Sequence, residues 1–279
     1  MSLAPLAENL FSLSGRVAVV TGGAGLLGVK HCEIIAAAGG IPVMIDIDQS
    51  RIDAHVGEIS RKFGGEAWGV KADITRTLEV QGVLEKIIQR HRRIDILINN
   101  AAIDAKVGKD VSTGFARIEN FPLDKWDLEM DVGLKGAFIC CQVFGGEMAK
   151  LSGGVILNIG SEYGVNGPDQ RLYRVDGLEE EAQPVKPITY TVVKSGLIGM
   201  SRYFALYWGP KNVRVNTVSF AGVRAGQSEE FVRRYIRQVP LGRMAEPDEY
   251  QGTVLYLCAD ASKFLTGVNL TIDGGKHCW

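Results

Sequence analysis

The sequence predicts an α/β fold: a doubly wound, seven-stranded parallel sheet with helices on both faces. Short runs of β-branched and other apolar residues alternate with longer stretches of helical periodicity. The apolar runs are continuous rather than alternating, which is typical of strands covered on both faces. Parallel neighbours need crossover connections, and the helical stretches between the runs supply them.

The predicted elements follow one another in a regular order along the chain. The strands are Arg16–Thr21, Ile41–Asp46, Ala67–Ala72, Ile94–Asn99, Val155–Ile159, Val213–Val218 and Val268–Ile272. The helices that separate them include Leu26–Ala38, Thr75–His91, Pro122–Lys150, Pro187–Trp208 and Pro247–Ala259. No Pro/Ser-rich linker and no internal repeat interrupts this order, so residues 1–279 are predicted to form a single domain.

Two connections are longer than a turn requires, namely Ile103–Phe121 and Ser161–Pro187. Both follow the carboxyl end of a predicted strand, the side on which open α/β sheets bind ligands. A third segment, Phe231–Arg237, combines aromatic and basic residues and is predicted to form a mobile lid helix rather than a nucleic-acid or membrane contact. These three segments are therefore expected near a functional site.

Composition excludes several classes of partner. Lys and Arg number 31 and Asp and Glu 32, for a net charge of −1, which argues against a nucleic-acid-binding surface. No apolar run reaches about 18 residues, and the first residues lack a signal-peptide pattern, so a cytoplasmic protein without a membrane span is expected. The cysteines lack CxxC spacing, which argues against a disulfide framework or a zinc site. They are Cys32, Cys140, Cys141, Cys258 and Cys278.

A glycine-rich loop joins the first strand to the first predicted helix. The spacing Gly23-x-Gly25-x-x-Gly28 matches the fingerprint of a Rossmann-type dinucleotide site. Glycines allow the backbone to approach a pyrophosphate, and the helix N-terminus supplies amide donors and partial positive charge. The residues predicted to bind the cofactor here are Gly22, Gly25, Leu26, Leu27 and Gly28.

Asp46 ends the second strand, where a carboxylate accepts hydrogen bonds from the adenosine ribose. The same carboxylate would repel a 2′-phosphate, and Asp48 adds negative charge. No Arg lies immediately beside Asp46, and Arg51 is five residues further along. NAD is therefore predicted over NADP, with Ile47 as a further cofactor contact.

Taken together, the motifs resemble those of the short-chain dehydrogenase/reductase family, from Leu13 to Gly275, and fit its shorter branch. The segments that carry the resemblance are Thr21–Gly28, Ala72–Ile74, Asn99–Ala102, Asn158–Ser161, Tyr190–Lys194, Val213–Asn216 and Thr271–Gly275. The resemblance implies that Asp73 bonds the adenine and that Ile74, Asn100, Ala101, Ala102 and the Val223 amide also contact the cofactor. Asn99 is expected to have mainly a structural role.

Three residues form the predicted catalytic set. Tyr190 and Lys194 are four positions apart in a predicted helix and so share a face. A phenol has a pKa of about 10, and a neighbouring ammonium lowers it toward the range of a general acid or base. Ser161 follows a strand and would orient the substrate oxygen. The resemblance also implies that Tyr190 and Lys194 contact the cofactor, Lys194 through the nicotinamide ribose.

The sequence departs from the family pattern at three places. Gly133 stands where the family has a fourth catalytic residue, an Asn, so a proton relay would use the Gly133 backbone carbonyl and a water. Leu26 replaces a glycine found in many short members. Phe220-Ala221 replaces the Pro-Gly that usually follows the sixth strand, which puts the rigidity of that loop in question.

The segment 162–187 is an insertion between Ser161 and Tyr190, which lie 29 positions apart. It is predicted to line the substrate side, where Arg171, Arg174 and Lys186 can hold a phosphate. A solvated flap or an oligomer contact is the alternative. The insertion is similar to that of a family subset found in bacterial surface-glycan biosynthesis, which implies a sugar, sugar phosphate or nucleotide sugar as substrate.

The predicted function is hydride transfer between NAD(H) and a secondary alcohol or ketone of such a substrate, with Tyr190 as general acid/base. Two alternatives remain open: a catalytically altered NAD-binding regulatory protein, and an epimerase or dehydratase that retains its NAD. The resemblance also implies a homodimer or homotetramer.

Overall fold

Within residues 4–103, 117–151 and 153–278, which the computed structural model describes, seven strands pair into one parallel sheet in the order β3-β2-β1-β4-β5-β6-β7. They are β1 (Val17–Thr21), β2 (Ile41–Asp46), β3 (Trp68–Lys71), β4 (Ile96–Asn99), β5 (Gly154–Ser161), β6 (Val213–Phe220) and β7 (Asn269–Ile272). The predicted seven-stranded parallel α/β fold is confirmed. The strand order reverses between β1 and β4, which opens a crevice at their carboxyl ends.

Helices cover both faces of this sheet. They are α1 (Ala4–Phe11), α2 (Leu26–Ala37), α3 (Gln49–Phe63), α4 (Thr77–His91), α5 (Leu123–Met130), α6 (Gly136–Cys140), α7 (Gly146–Lys150), α8 (Glu162–Val165), α9 (Ile188–Trp208), α10 (Glu229–Ile236) and α11 (Gln251–Cys258). None of the described helices combines the length and the hydropathy that a bilayer span requires.

The core lies in two layers because alternate residues of β1 point to opposite faces. Ala18 and Val20 pack with Ile35 of α2 and Val254 of α11. On the other face, the core includes Val17 and Val19 of β1, Val80 and Ile87 of α4, Phe144 beside α7, and Trp208 of α9. Both faces of the strand are therefore apolar, which explains the continuous runs in the sequence.

The predicted helix Pro122–Lys150 contains two π-helical turns, Asp131–Lys135 and Cys141–Gly145. Glycines at these turns allow close packing. A Cβ on Gly133 would lie 2.5 Å from Val193 Cγ1, and one on Gly145 would lie 2.8 Å from the Trp208 ring. Such turns are frequent at functional sites.

Several boundaries differ from the prediction. Strands β5 and β6 extend to Ser161 and Phe220, two residues beyond their predicted ends, because the two strands pair along their whole length. Helix α11 begins at Gln251 rather than Pro247, since residues 246–249 form a turn that the Glu249 carboxylate closes by accepting from the Glu246 amide.

The insertion packs onto the domain through Leu172, whereas residues 174–182 are mostly exposed. It contains α8 and two 3₁₀ turns, Gln170–Tyr173 and Glu180–Ala182. Leu172 is buried in a third small core that also holds Val232 and Tyr235 of α10, Val239 and Met244. Of the other long connection, Ile103–Phe121, the part from 104 to 116 lies outside the described residues.

We expect Phe144→Ala to destabilise the fold strongly. Its ring is fully buried in the helix-to-sheet core, and truncating such a side chain leaves a cavity that costs about 3–5 kcal/mol. Phe264→Ala is the matched control, because Phe264 is fully exposed and its loss should change the free energy of unfolding by less than about 0.5 kcal/mol. Urea unfolding measures both, and equal effects would contradict this packing.

Candidate active site

A cavity of about 1140 Å³ opens at the carboxyl ends of the central strands. It gathers every residue predicted to be catalytic or to bind cofactor except Gly28. Those lining it are Gly22, Gly25, Leu26, Leu27, Asp46, Ile47, Asp73, Ile74, Asn100, Ala101, Ala102, Ser161, Tyr190, Lys194 and Val223. Residues far apart in sequence thus meet because the strands that carry them are parallel and adjacent.

Gly28 lies behind the cavity wall and acts through packing. A Cβ there would come within 2.1 Å of the Gly22 carbonyl oxygen, so only glycine lets α2 lie against the loop. Gly22 itself has a φ of 59° and passes close to Ala101. No described side chain caps α2, whose first turn follows Gly25. The backbone is therefore shaped for an anion at the helix N-terminus.

Hydrogen bonds between β1 and the residues after β4 hold this loop in place. The Thr21 hydroxyl accepts from the Asn100 and Ala101 amides, at 3.1 Å in each case. The Asn100 side chain donates back to the Thr21 and Gly22 carbonyls at 3.0 and 3.1 Å. The glycine loop is thereby bound to the neighbouring strand end.

Asp46 contacts the glycine loop directly, because its carboxylate accepts from the Ala24 amide at 3.2 Å and from the Ile47 amide at 2.8 Å. Arg51, five residues beyond Asp46, also reaches this loop, since its guanidinium donates to the Ala24 carbonyl and lines the same cavity. Asp48, by contrast, caps α3, and the hydrogen bond from the Ser50 hydroxyl lowers its pKa.

Asp73 lines the cavity beyond β3. One of its carboxylate oxygens accepts from the Thr75 amide at 2.9 Å and from the Thr75 hydroxyl at 2.7 Å. Its own amide donates to Glu79 of α4 at 2.8 Å. These bonds fix the carboxylate on the wall of the cavity, next to Ile74.

The predicted catalytic residues face the opposite end of the cavity. Ser161 ends β5, caps α8 by accepting from the Tyr163 amide at 3.2 Å, and is 6% exposed. Lys194 is 4% exposed, and its Nζ donates to the Ile159 carbonyl at 2.7 Å. That nitrogen lies 5.7 Å from the centre of the Tyr190 ring. The one-turn spacing on α9 thus places the ammonium beside the phenol.

A second cavity of about 10 Å³, roughly the volume that one water needs, lies behind this pair. Its lining includes Gly133, Glu129, Tyr190 and Lys194. Gly133 thus lines this cavity as a bare backbone, because Val193 fills the space of a side chain.

Glu129 is a residue that the sequence argument missed. Its carboxylate is buried and accepts a hydrogen bond from the Thr189 hydroxyl. Its position four residues before Gly133, and so on the same helix face, was the signal available in the sequence.

Glu162 and Tyr235 form a second set that the sequence did not indicate. The Tyr235 hydroxyl donates to Glu162 at 2.7 Å and accepts from the Gly222 amide at 2.7 Å, and burial raises the pKa of Tyr235. Lys276 pairs with the other Glu162 oxygen at 2.9 Å. The loop after β6 is also held by Tyr250, which donates to the Ala221 carbonyl. Side chains from distant segments therefore hold the loop in place of the missing Pro-Gly.

Helix α10 lines the cavity through Phe231, Arg234 and Tyr235. It includes most of the segment predicted to form a lid. Among the described residues, no group of three or more His, Cys, Asp or Glu side chains is arranged to hold a metal ion.

Two family models match consecutive parts of the chain. The model described as short chain dehydrogenase matches residues 16–173, and that described as Enoyl-(Acyl carrier protein) reductase matches residues 178–277. An NAD-dependent glycerol dehydrogenase of Listeria innocua is 29% identical over 95% of each chain. A D-threitol dehydrogenase of Mycolicibacterium smegmatis is 29% identical over 95% of this chain and 94% of its own.

Solved structures agree with these matches. A short-chain type dehydrogenase/reductase from Mycobacterium marinum superposes over 100% of both chains with a TM-score of 0.82 and 27% identity. The first family model alone spans more than half of the chain. The chain therefore belongs to the short-chain dehydrogenase/reductase family of oxidoreductases.

Proposed function

We propose that this oxidoreductase transfers hydride between NAD(H) and a secondary hydroxyl or ketone of a polyol or sugar-type substrate, with Tyr190 as general acid/base. The observation that carries the proposal is that Ser161, Tyr190 and Lys194 line the same cavity as the glycine loop. A dinucleotide and a small carbinol can therefore meet at the Tyr190 hydroxyl. A regulatory protein that only binds a dinucleotide would not require Ser161, Tyr190 and Lys194 in this cavity.

The residues present fit a dinucleotide. Glycine at positions 22 and 28 leaves a backbone cradle that a Cβ would fill, and the N-terminus of α2 supplies amide donors. Asp46 offers a carboxylate to the adenosine ribose, which favours NAD. Asp73 and Ile74 would border the adenine, and the Val223 amide the carboxamide. When bound, the nicotinamide accepts or donates the hydride at the substrate carbon.

The chain's own residues handle the proton. In alcohol oxidation, the Tyr190 phenolate accepts the hydroxyl proton while the hydride leaves the carbon; in ketone reduction, the phenol returns it. The Lys194 ammonium stabilises the phenolate. The Ser161 hydroxyl donates to the substrate oxygen and orients it. The small cavity between Lys194 and Gly133 supports a relay through one water and the Gly133 carbonyl.

A polar substrate suits the end of the cavity that the insertion and α10 line. Its wall carries Glu162, Tyr173, Arg174, Lys186 and Arg234, so both acceptors and cations are available to hydroxyl or phosphate groups. The names of the glycerol and threitol dehydrogenases support a polyol. The insertion also supports a more specific substrate, a sugar of surface-glycan biosynthesis. The substrate panel below therefore includes sugars, sugar phosphates and a nucleotide sugar.

We also propose a homodimer or homotetramer. The outer face of α9 carries exposed Tyr203, Leu206 and Tyr207, and Phe138 is exposed on α6. Together they form an apolar surface of the kind that subunits bury.

Tyr190→Phe should lower kcat/KM about 10²–10⁴-fold, because the ring remains but the proton carrier is lost. Tyr256→Phe is the matched control, since Tyr256 lies on α11 and does not line the cavity. NADH absorbance measures turnover with polyols, sugars, sugar phosphates, a nucleotide sugar and a 3-oxoacyl thioester. Undiminished turnover in Tyr190→Phe would refute the mechanism.

Interconversion of epimers by NAD-loaded protein without NADH release would favour the epimerase alternative.

Asp46→Ala should reduce kcat/KM for NAD about 10–100-fold, the worth of hydrogen bonds to a charged group. It should raise the relative use of NADP, because the carboxylate that repels the 2′-phosphate is gone and Arg51 remains. The double variant Asp46→Ala/Arg51→Ala should lose this increase in the relative use of NADP. Asp53→Asn, on the exposed side of α3, controls for loss of charge. An unchanged NAD/NADP ratio in Asp46→Ala would contradict the assignment.

Gly133→Ala should cost about 1–3 kcal/mol of stability, because the new Cβ overlaps Val193. In the presence of Val193→Ala, the same substitution should cost clearly less, since both overlapping methyl groups are removed. Urea unfolding of the two single variants and the double variant measures the coupling. Strictly additive costs would show that the two helices do not press against each other here.

A further inference from the structure

We propose that Lys186, in the insertion, is a second cation at the catalytic tyrosine and stabilises the Tyr190 phenolate together with Lys194. The inference rests on the proposed function of Tyr190 as general acid/base. The Lys186 Nζ lies 4.3 Å from the centre of the Tyr190 ring, closer than the 5.7 Å of Lys194. Its side chain lines the active-site cavity, and the residue is only 9% exposed.

The insertion holds Lys186 in this position from both sides of its backbone. Its amide donates to the Gln170 side chain at 2.8 Å, and the Gln170 Nε2 donates to the Lys186 carbonyl at 3.3 Å. Gln170 begins a 3₁₀ turn that also contains the buried Leu172. Since Pro187 follows at the start of α9, the Lys186 backbone is held relative to Tyr190, which lies one helical turn further on.

The charged and titratable groups around Tyr190 come from several elements. Lys194 faces it from α9, Tyr163 from α8 with the ring centres 6.4 Å apart, and Glu129 from α5 across the small cavity. Burial raises the pKa of Tyr163, which keeps that phenol neutral. Glu162 at the far wall is paired with Lys276. Among the described residues, two ammonium groups therefore face Tyr190 against one buried carboxylate.

A charge within about 4–6 Å favours the opposite charge on its neighbour, and burial weakens solvent screening. A phenolate beside two buried ammonium groups is thus favoured more than beside one. Because alcohol oxidation needs the phenolate, removing Lys186 should move the rising limb of kcat/KM to higher pH, in addition to any change in the height of the plateau. A purely structural role would lower activity at all pH values instead.

The direct test titrates Tyr190 without substrate. Phenolate absorbance is recorded against pH for each protein. The curve of Tyr190→Phe is subtracted from that of the wild type, and the curve of the double variant Lys186→Gln/Tyr190→Phe is subtracted from that of Lys186→Gln. Tyr163, Tyr235 and Tyr250 interfere little, since burial raises their pKa values. We expect the midpoint of the Tyr190 titration to rise by about one unit or more in Lys186→Gln. Lys186→Arg should keep a midpoint near that of the wild type.

Lys150→Gln is the control for net charge, because Lys150 is exposed on α7, and it should leave the midpoint in place. Equal midpoints in the wild type and Lys186→Gln would overturn the inference, as would a loss of activity that is uniform over pH. A shifted midpoint in a protein without turnover on any substrate of the panel would support the electrostatic role of Lys186 and refute the proposed function. Failure of the inference about Lys186 and failure of the proposed function therefore give different results.

Discussion

The hydrogen bonds between Thr21 and the Asn100–Ala101 backbone are the contacts on which the site depends. They join the ends of β1 and β4 at the point where the strand order reverses. The Asn100 side chain then holds the Thr21 and Gly22 carbonyls, so the glycine loop begins from a fixed position. Because the next turn is glycine-rich, α2 can approach the loop closely and present its N-terminus to the crevice.

Close packing around α9 plays the corresponding role at the catalytic end. Gly164 of α8 lies so near the Lys194 backbone that a Cβ would come within 2.7 Å of it. A Cβ on Gly133 would likewise overlap the Val193 side chain. Helix α9 is therefore held from two sides while its Tyr190 and Lys194 face the cavity. The cost of this arrangement is the loss of any side chain at position 133, and the backbone and the small cavity are what remain there for a relay.

The substrate side is organised by charge rather than by close backbone contacts. Glu162 follows Ser161 directly, forms an ion pair with Lys276 near the C-terminus and accepts a hydrogen bond from the Tyr235 hydroxyl of α10. A buried carboxylate without such partners would be strongly unfavourable. These bonds connect two distant segments to the residue after Ser161, while Lys186 lies over the Tyr190 ring at 4.3 Å from its centre. Glu162, Lys186 and Tyr190 therefore line the same cavity.

The sequence was enough to predict the strands, the glycine loop and the grouping of Ser161, Tyr190 and Lys194 in one cavity. Continuous apolar runs, glycine spacing and a one-turn helical separation are short-range patterns. The sequence did not reveal the contact of Arg51 with the glycine loop, Glu129 behind Tyr190 and Lys194, or the Glu162–Lys276 pair. Nor did it reveal that Lys186 lies on the Tyr190 ring rather than only on the substrate wall. These contacts join segments whose separation is set by the strand order and the packing of the insertion, and no local periodicity encodes them. They depend on the three-dimensional fold, because buried charges take the partners that the fold brings within reach.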